Sequence, residues 1–175
     1  MDTRLKLLTY SAVSLAAALL LPLLTGGDMK LGNALCLMHI PVLLCGYICG
    51  PWWGGAVGIC APILRGLIFS RPPFMPTGLC MAAELMAYGL FTGLFYKLFP
   101  KKLPFLYVSL LCSMLCGRLV WGLAQYVVLG AQGKTFTLAV FWTNGFVTAL
   151  PGMALQIVLI PLLITAFKKA GLLKK

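Results

Sequence analysis

Acidic residues are almost missing from this chain. Asp plus Glu total three among 175 residues, against 14 Lys plus Arg. Two of the three, Asp2 and Asp28, fall within the first thirty positions, which leaves Glu84 as the one acid in the body of the chain. Paired-carboxylate catalysis and the carboxylate arrays of ion pumps both need more than this. There is one histidine, and the seven cysteines contain no CxxC pair, so zinc and other metal sites are not expected. No GxxxxGK[ST] loop is present, so the chain does not itself use ATP. No cofactor is implied. Long polar stretches are missing too, which makes 1–175 a single domain. No small-residue cleavage pattern follows the first apolar run, so no cleavable signal peptide is expected.

Apolar residues fill the space. They make up 61% of the chain and charged residues only 10%, whereas soluble domains run at roughly 45–50% and about 25%. A chain of this length cannot bury so much apolar surface in one aqueous core. The composition therefore points to an all-α integral membrane protein with the lipid bilayer as solvent. The net charge of +11 does not indicate nucleic acid, because the cations sit at the ends of apolar runs.

A helix crossing the hydrocarbon needs about 20 apolar residues. Six transmembrane helices are predicted, over residues 5–25, 35–50, 54–70, 77–98, 104–130 and 137–167. Turn chemistry separates them: Gly26-Gly27-Asp28, Gly50-Pro51, Arg71-Pro72-Pro73 with Pro76, Pro100-Lys101-Lys102, and Gly130 to Lys134. With an even number of spans both termini share a side. That side carries nine cations, and the other carries Lys30, Arg65, Arg71 and Lys134. The excess puts both termini in the cytoplasm. The i,i+4 cysteine pairs, Cys45/Cys49 and Cys112/Cys116, are expected to pack as small residues.

Polar side chains inside spans are costly and are functional-site candidates. Glu84 lies about 12 Å into the fourth span, counted from Pro76, with Tyr88 one turn on. Arg118 lies about 18 Å from Gly130 in the fifth span and shares a face with Trp121 and Gln125. Asn144 and Thr148 form an i,i+4 pair in the outer half of the sixth. Asn33 and His39 enter from the first loop and the start of the second span. Polar groups at one depth with aromatic walls suit a pocket for one small molecule. A Glu84–Arg118 ion pair tying two helices is the plainer alternative, and the two are compatible. For His39 a structural hydrogen bond is simpler than metal or proton chemistry. In the first span Ala12 and Ala16 share a face that admits close approach of another helix, either a neighbouring span or a partner.

The run Leu37 to Gly46 with Gly50-Pro51, Gly54, Gly58 and Pro62 to Arg65 closely resembles the substrate-binding S components of energy-coupling factor (ECF) transporters. So do Pro72 to Thr77 and Met81 to Leu90. The pattern is similar to the riboflavin-type S-component branch, and the length and six-span layout match over the whole chain. The resemblance implies an S-component-like bundle in the bacterial cytoplasmic membrane. It implies high-affinity binding of a vitamin or vitamin precursor from outside, with pantothenate, a pyridoxine-like compound or an α-ribazole-type precursor as candidates. It implies uptake driven by a membrane T subunit and two ATPase subunits. Ala12 and Ala16 match the family's docking pattern. The family's pocket, built from helices four to six and the outer loops, coincides with the polar residues above. The rival reading is a stand-alone secondary transporter or channel; an intramembrane enzyme lacks the residues it would need.

Overall fold

The computed structural model describes residues 3–25, 34–70 and 72–171. Among the described residues every regular element is helical. A bilayer offers no water to unpaired amides, so each crossing segment must satisfy its backbone internally.

The first helix, α1 (Thr3–Leu20), tightens into a 3₁₀ turn at Leu21–Thr25 that contains Pro22. Next comes α2 (His39–Cys49), which stops at Gly50. Gly50 has φ +94°, a conformation that glycine adopts without a Cβ penalty. Pro51 then opens α3 (Pro51–Phe69), a position where its missing N–H costs nothing. An irregular turn at Phe74–Gly78, with Met75 extended, leads into α4 (Leu79–Leu98). Then follow α5 (Leu103–Ala131), a short α6 (Leu138–Trp142), a wide turn at Thr143–Val147, and α7 (Leu150–Lys169).

All six predicted segments therefore contain a helix. Five are long and apolar enough to cross a membrane. The remaining one, α2, has only 11 residues, about 16 Å of rise, because a turn at Cys36–Met38 takes up the start of the predicted 35–50 span. The predicted 137–167 span is divided, and α7 alone forms its crossing part.

The short α2 is buried on most of its surface and joins two cores. One face packs Val42, Cys45 and Cys49 with Ala18 of α1, Val57 and Ala61 of α3, and Leu85 of α4. The other packs Leu43 and Tyr47 with Tyr88, with Leu106, Leu110 and Met114 of α5, and with Ile160 and Ile164 of α7. Contact between α3 and α4 is backbone to backbone. A Cβ on Gly89 would collide with the Gly54 carbonyl, and one on Gly54 would come within 2.6 Å of the Gly89 carbonyl oxygen. Small residues at such crossings let helices approach closely in lipid.

Arg65, predicted on the outward side, is buried. Its Nη1 donates to the Leu19 carbonyl at 2.7 Å, and the guanidinium lies over the Phe69 ring at 5.3 Å. This ties α3 to the end of α1. Of the paired cysteines, Cys45 is fully buried and lies 3.8 Å from the Ser11 hydroxyl, while Cys112 and Cys116 are half-buried. Leu111, Leu115, Leu119 and Leu123 form an exposed row along α5, and Val158 and Leu162 extend the apolar exterior on α7. Water would penalise that exterior heavily; acyl chains do not.

Candidate functional site

Four segments bring polar side chains to one buried place. Glu84 comes from α4 and Arg118 from α5, with relative exposures of 2% and 5%. Their Oε1 and Nη1 atoms stand 2.8 Å apart. His39, at the first residue of α2, places Nε2 3.5 Å from the same Glu84 oxygen. The Tyr88 ring, one turn below Glu84, meets the His39 ring edge-on at 5.1 Å. It also lies against Gly117, where any Cβ would come within 2.8 Å of the ring. The missing side chain at Gly117 is thus what lets α5 bring Arg118 up to Glu84.

Two further residues complete the group. Cys36 has a left-handed backbone, with φ 49°. Its sulfur lies 3.7 Å from Arg118 Nη2, and its carbonyl accepts a hydrogen bond from Gln156 Nε2 of α7 at 3.4 Å. Neither was among the site residues expected from the sequence. Gln156 carries the signal of a lone amide in an apolar span. Cys36 carries none, because its role depends on a turn that folds back onto α5 and α7.

Several polar atoms here are buried without a hydrogen-bond partner of good geometry among the described residues: Tyr88 Oη, Arg118 Nε, His39 Nδ1 and Gln156 Oε1. Buried polar groups are nearly always satisfied, and those left over need an explanation. A ligand with its own donors and acceptors supplies one.

The other predicted residues fall differently. Trp121 is buried, stacks on Phe141 (6.2 Å between centroids, 28°) and meets Phe136 edge-on at 6.1 Å. Gln125 is half-buried one turn beyond. An open cleft of about 420 Å³ lies next to this aromatic group, lined by Tyr126, Val127, Gly130, Lys134, Thr135 and Phe136. Asn144 and Thr148 are exposed, and the Thr148 hydroxyl donates to the Thr143 carbonyl at 3.1 Å. Neither makes a hydrogen bond to Glu84, Arg118 or His39. The wide turn at Thr143–Val147 breaks the helical register on which their expected placement depended. Asn33 lies outside the described residues. Ala12 and Ala16 are exposed on α1, while Ser11 and Ala18 face inward.

A lipid-facing helix bundle around one buried, partly unsatisfied polar cluster defines an integral membrane protein with an internal polar site. A family model described as the substrate-specific component of ECF transporters matches residues 6–164. The chain belongs to that family. No curated protein and no solved structure matches it. Family members are membrane transport subunits that bind a small-molecule substrate and work with membrane T and ATPase subunits.

Proposed function

We propose that this chain binds a vitamin or vitamin precursor from outside the cell and passes it inward through an ECF transporter powered by separate T and ATPase subunits. The carrying observation is the buried group of Glu84, Arg118, His39, Tyr88, Cys36 and Gln156, in which several polar atoms make no well-formed hydrogen bond among the described residues. Such a group is costly in a membrane unless it serves a ligand. Trp121 and its aromatic neighbours form the wall next to Arg118, and Gln125, Asn144, Thr148 and Asn33 belong to the approach from outside.

Ala12 and Ala16 are the T-subunit docking face. Their exposure supports this, because no described helix covers them. The nine-to-four distribution of cations supports cytoplasmic termini in a bacterial cell membrane, with the Glu84 cluster in the outer half. Pantothenate, pyridoxine-like compounds and α-ribazole-type precursors are the substrate candidates, in the riboflavin-type branch.

A thermal-shift screen of the purified chain against a panel of water-soluble vitamins and their precursors tests the binding role. One compound, or a close pair, is expected to raise the unfolding temperature, and Arg118→Ala is expected to lose that rise. A panel without any stabilising compound would contradict the binding role.

A further inference from the structure

We infer that the ligand of this site is an uncharged polar molecule, and that Glu84 acts as the charge filter that excludes carboxylate and phosphate forms of the same skeleton. The inference rests on the proposed binding role and narrows it to one substrate class.

Arg118 would be the natural anchor for an anionic ligand, since guanidinium recognises carboxylates and phosphates by paired donors. Here its charge is already balanced. Nη1 is held by Glu84 Oε1 at 2.8 Å, and Nη2 faces the Cys36 sulfur at 3.7 Å. No second cation is available among the described residues. Arg65 is committed to the Leu19 carbonyl and the Phe69 ring. Lys134 lines the cleft at the far end of α5, and the other described lysines lie at helix ends. The charges of Glu84 and Arg118 cancel one another.

An anionic ligand would enter an apolar interior next to the Glu84 carboxylate, with no free cation among the described residues to receive it. Burying an unpaired charge is strongly unfavourable. Displacing Glu84 from Arg118 would only transfer the problem, because Glu84 would then be the unpaired charge. A cation would meet Arg118 in the same way. What the site offers instead is a mixed set of hydrogen-bonding positions. Arg118 Nε–H is a donor, Gln156 Oε1 is an acceptor, the Tyr88 hydroxyl is both, and the His39 ring supplies one more position. A molecule with hydroxyl, amide or ring-nitrogen groups satisfies these without bringing a charge.

The test compares matched pairs that differ by one charge: pyridoxine against 4-pyridoxate, pantothenol against pantothenate, and α-ribazole against its 5′-phosphate. Binding to the purified full chain is measured by calorimetry. For the skeleton that binds, the uncharged member is expected to bind at least about 10-fold tighter than its anion, the order set by one poorly compensated charge. Glu84→Gln leaves Arg118 free, so that ratio should shrink or reverse. The wild-type comparison stands alone if that variant does not fold. An anion that binds wild type as tightly as its uncharged partner, or tighter, overturns the inference while leaving the binding role intact. Binding of neither member of any pair counts against the binding role itself and takes the inference with it.

Discussion

Glu84 Oε1 and Arg118 Nη1 meet at 2.8 Å between α4 and α5, with both side chains shielded from solvent. In an apolar surround each charge is tolerable because of the other. Removing one partner strands the survivor, and that costs about 3–5 kcal/mol, whereas replacing both with neutral groups can cost little. Arg118→Leu is therefore expected to destabilise the chain by about 3 kcal/mol, and adding Glu84→Gln should recover at least about half of that loss. Unfolding in detergent micelles measures it. Additive losses in the double variant would mean that the two residues act independently.

The Tyr88 hydroxyl is buried and makes no well-formed hydrogen bond among the described residues. Tyr88→Phe should therefore leave the ligand-free stability unchanged or slightly raised. Binding should weaken by about 3- to 10-fold, the value of one hydrogen bond to the ligand. Thr148→Ala removes an exposed hydroxyl already bonded to Thr143, and its effect on affinity should be smaller. Calorimetric titration of both variants decides between them. An equal loss in each would point to an outer-loop site instead of the Glu84 cluster.

Glycines in this bundle fall into two classes that substitution separates. At Gly89 an added methyl meets the Gly54 backbone, which cannot step aside without moving α3. Gly89→Ala should cost about 1–3 kcal/mol, the order for overpacking a tight contact. At Gly130, near the end of α5, a Cβ meets nothing within 4 Å. Gly130→Ala should stay within about 0.5 kcal/mol of wild type or stabilise slightly. Thermal midpoints of the two variants test the closeness of the α3–α4 crossing.

On α1 the inner and outer small residues should behave oppositely. Ala18 is fully buried against α2 and α3, so Ala18→Leu should lower stability. Ala16 is exposed. Ala16→Leu should leave stability and ligand binding intact yet abolish co-purification with the T subunit. Retained assembly in Ala16→Leu would place docking elsewhere.

Much of this was legible in the chain because the bilayer imposes so few solutions. Twenty apolar residues between turn signals can only be a span, and Glu84, Tyr88 and Arg118 announce themselves by standing inside one. Shared depth put Glu84, Arg118 and His39 in one region and allowed a Glu84–Arg118 pair as one of two readings, without giving His39 its partner. Other features depend on tertiary geometry with no local signature. Cys36 joins the cluster through a left-handed turn that could not be foreseen from an apolar cysteine. Asn144 and Thr148 looked paired because a continuous helix was assumed, and the turn at Thr143–Val147 removes that assumption. Whether Ala12 and Ala16 point inward or outward was undetermined until the neighbours of α1 were known, since periodicity gives a face but not its direction.

The most direct test is substrate accumulation in proteoliposomes. Vesicles holding the chain alone are compared with vesicles that also hold the T and ATPase subunits, each with and without ATP. The chain alone should bind its ligand and accumulate none, and uptake should appear only with all subunits and ATP present. Accumulation by the chain alone, driven by an ion gradient or by the substrate's own gradient, would contradict the S-component role and identify a self-sufficient transporter.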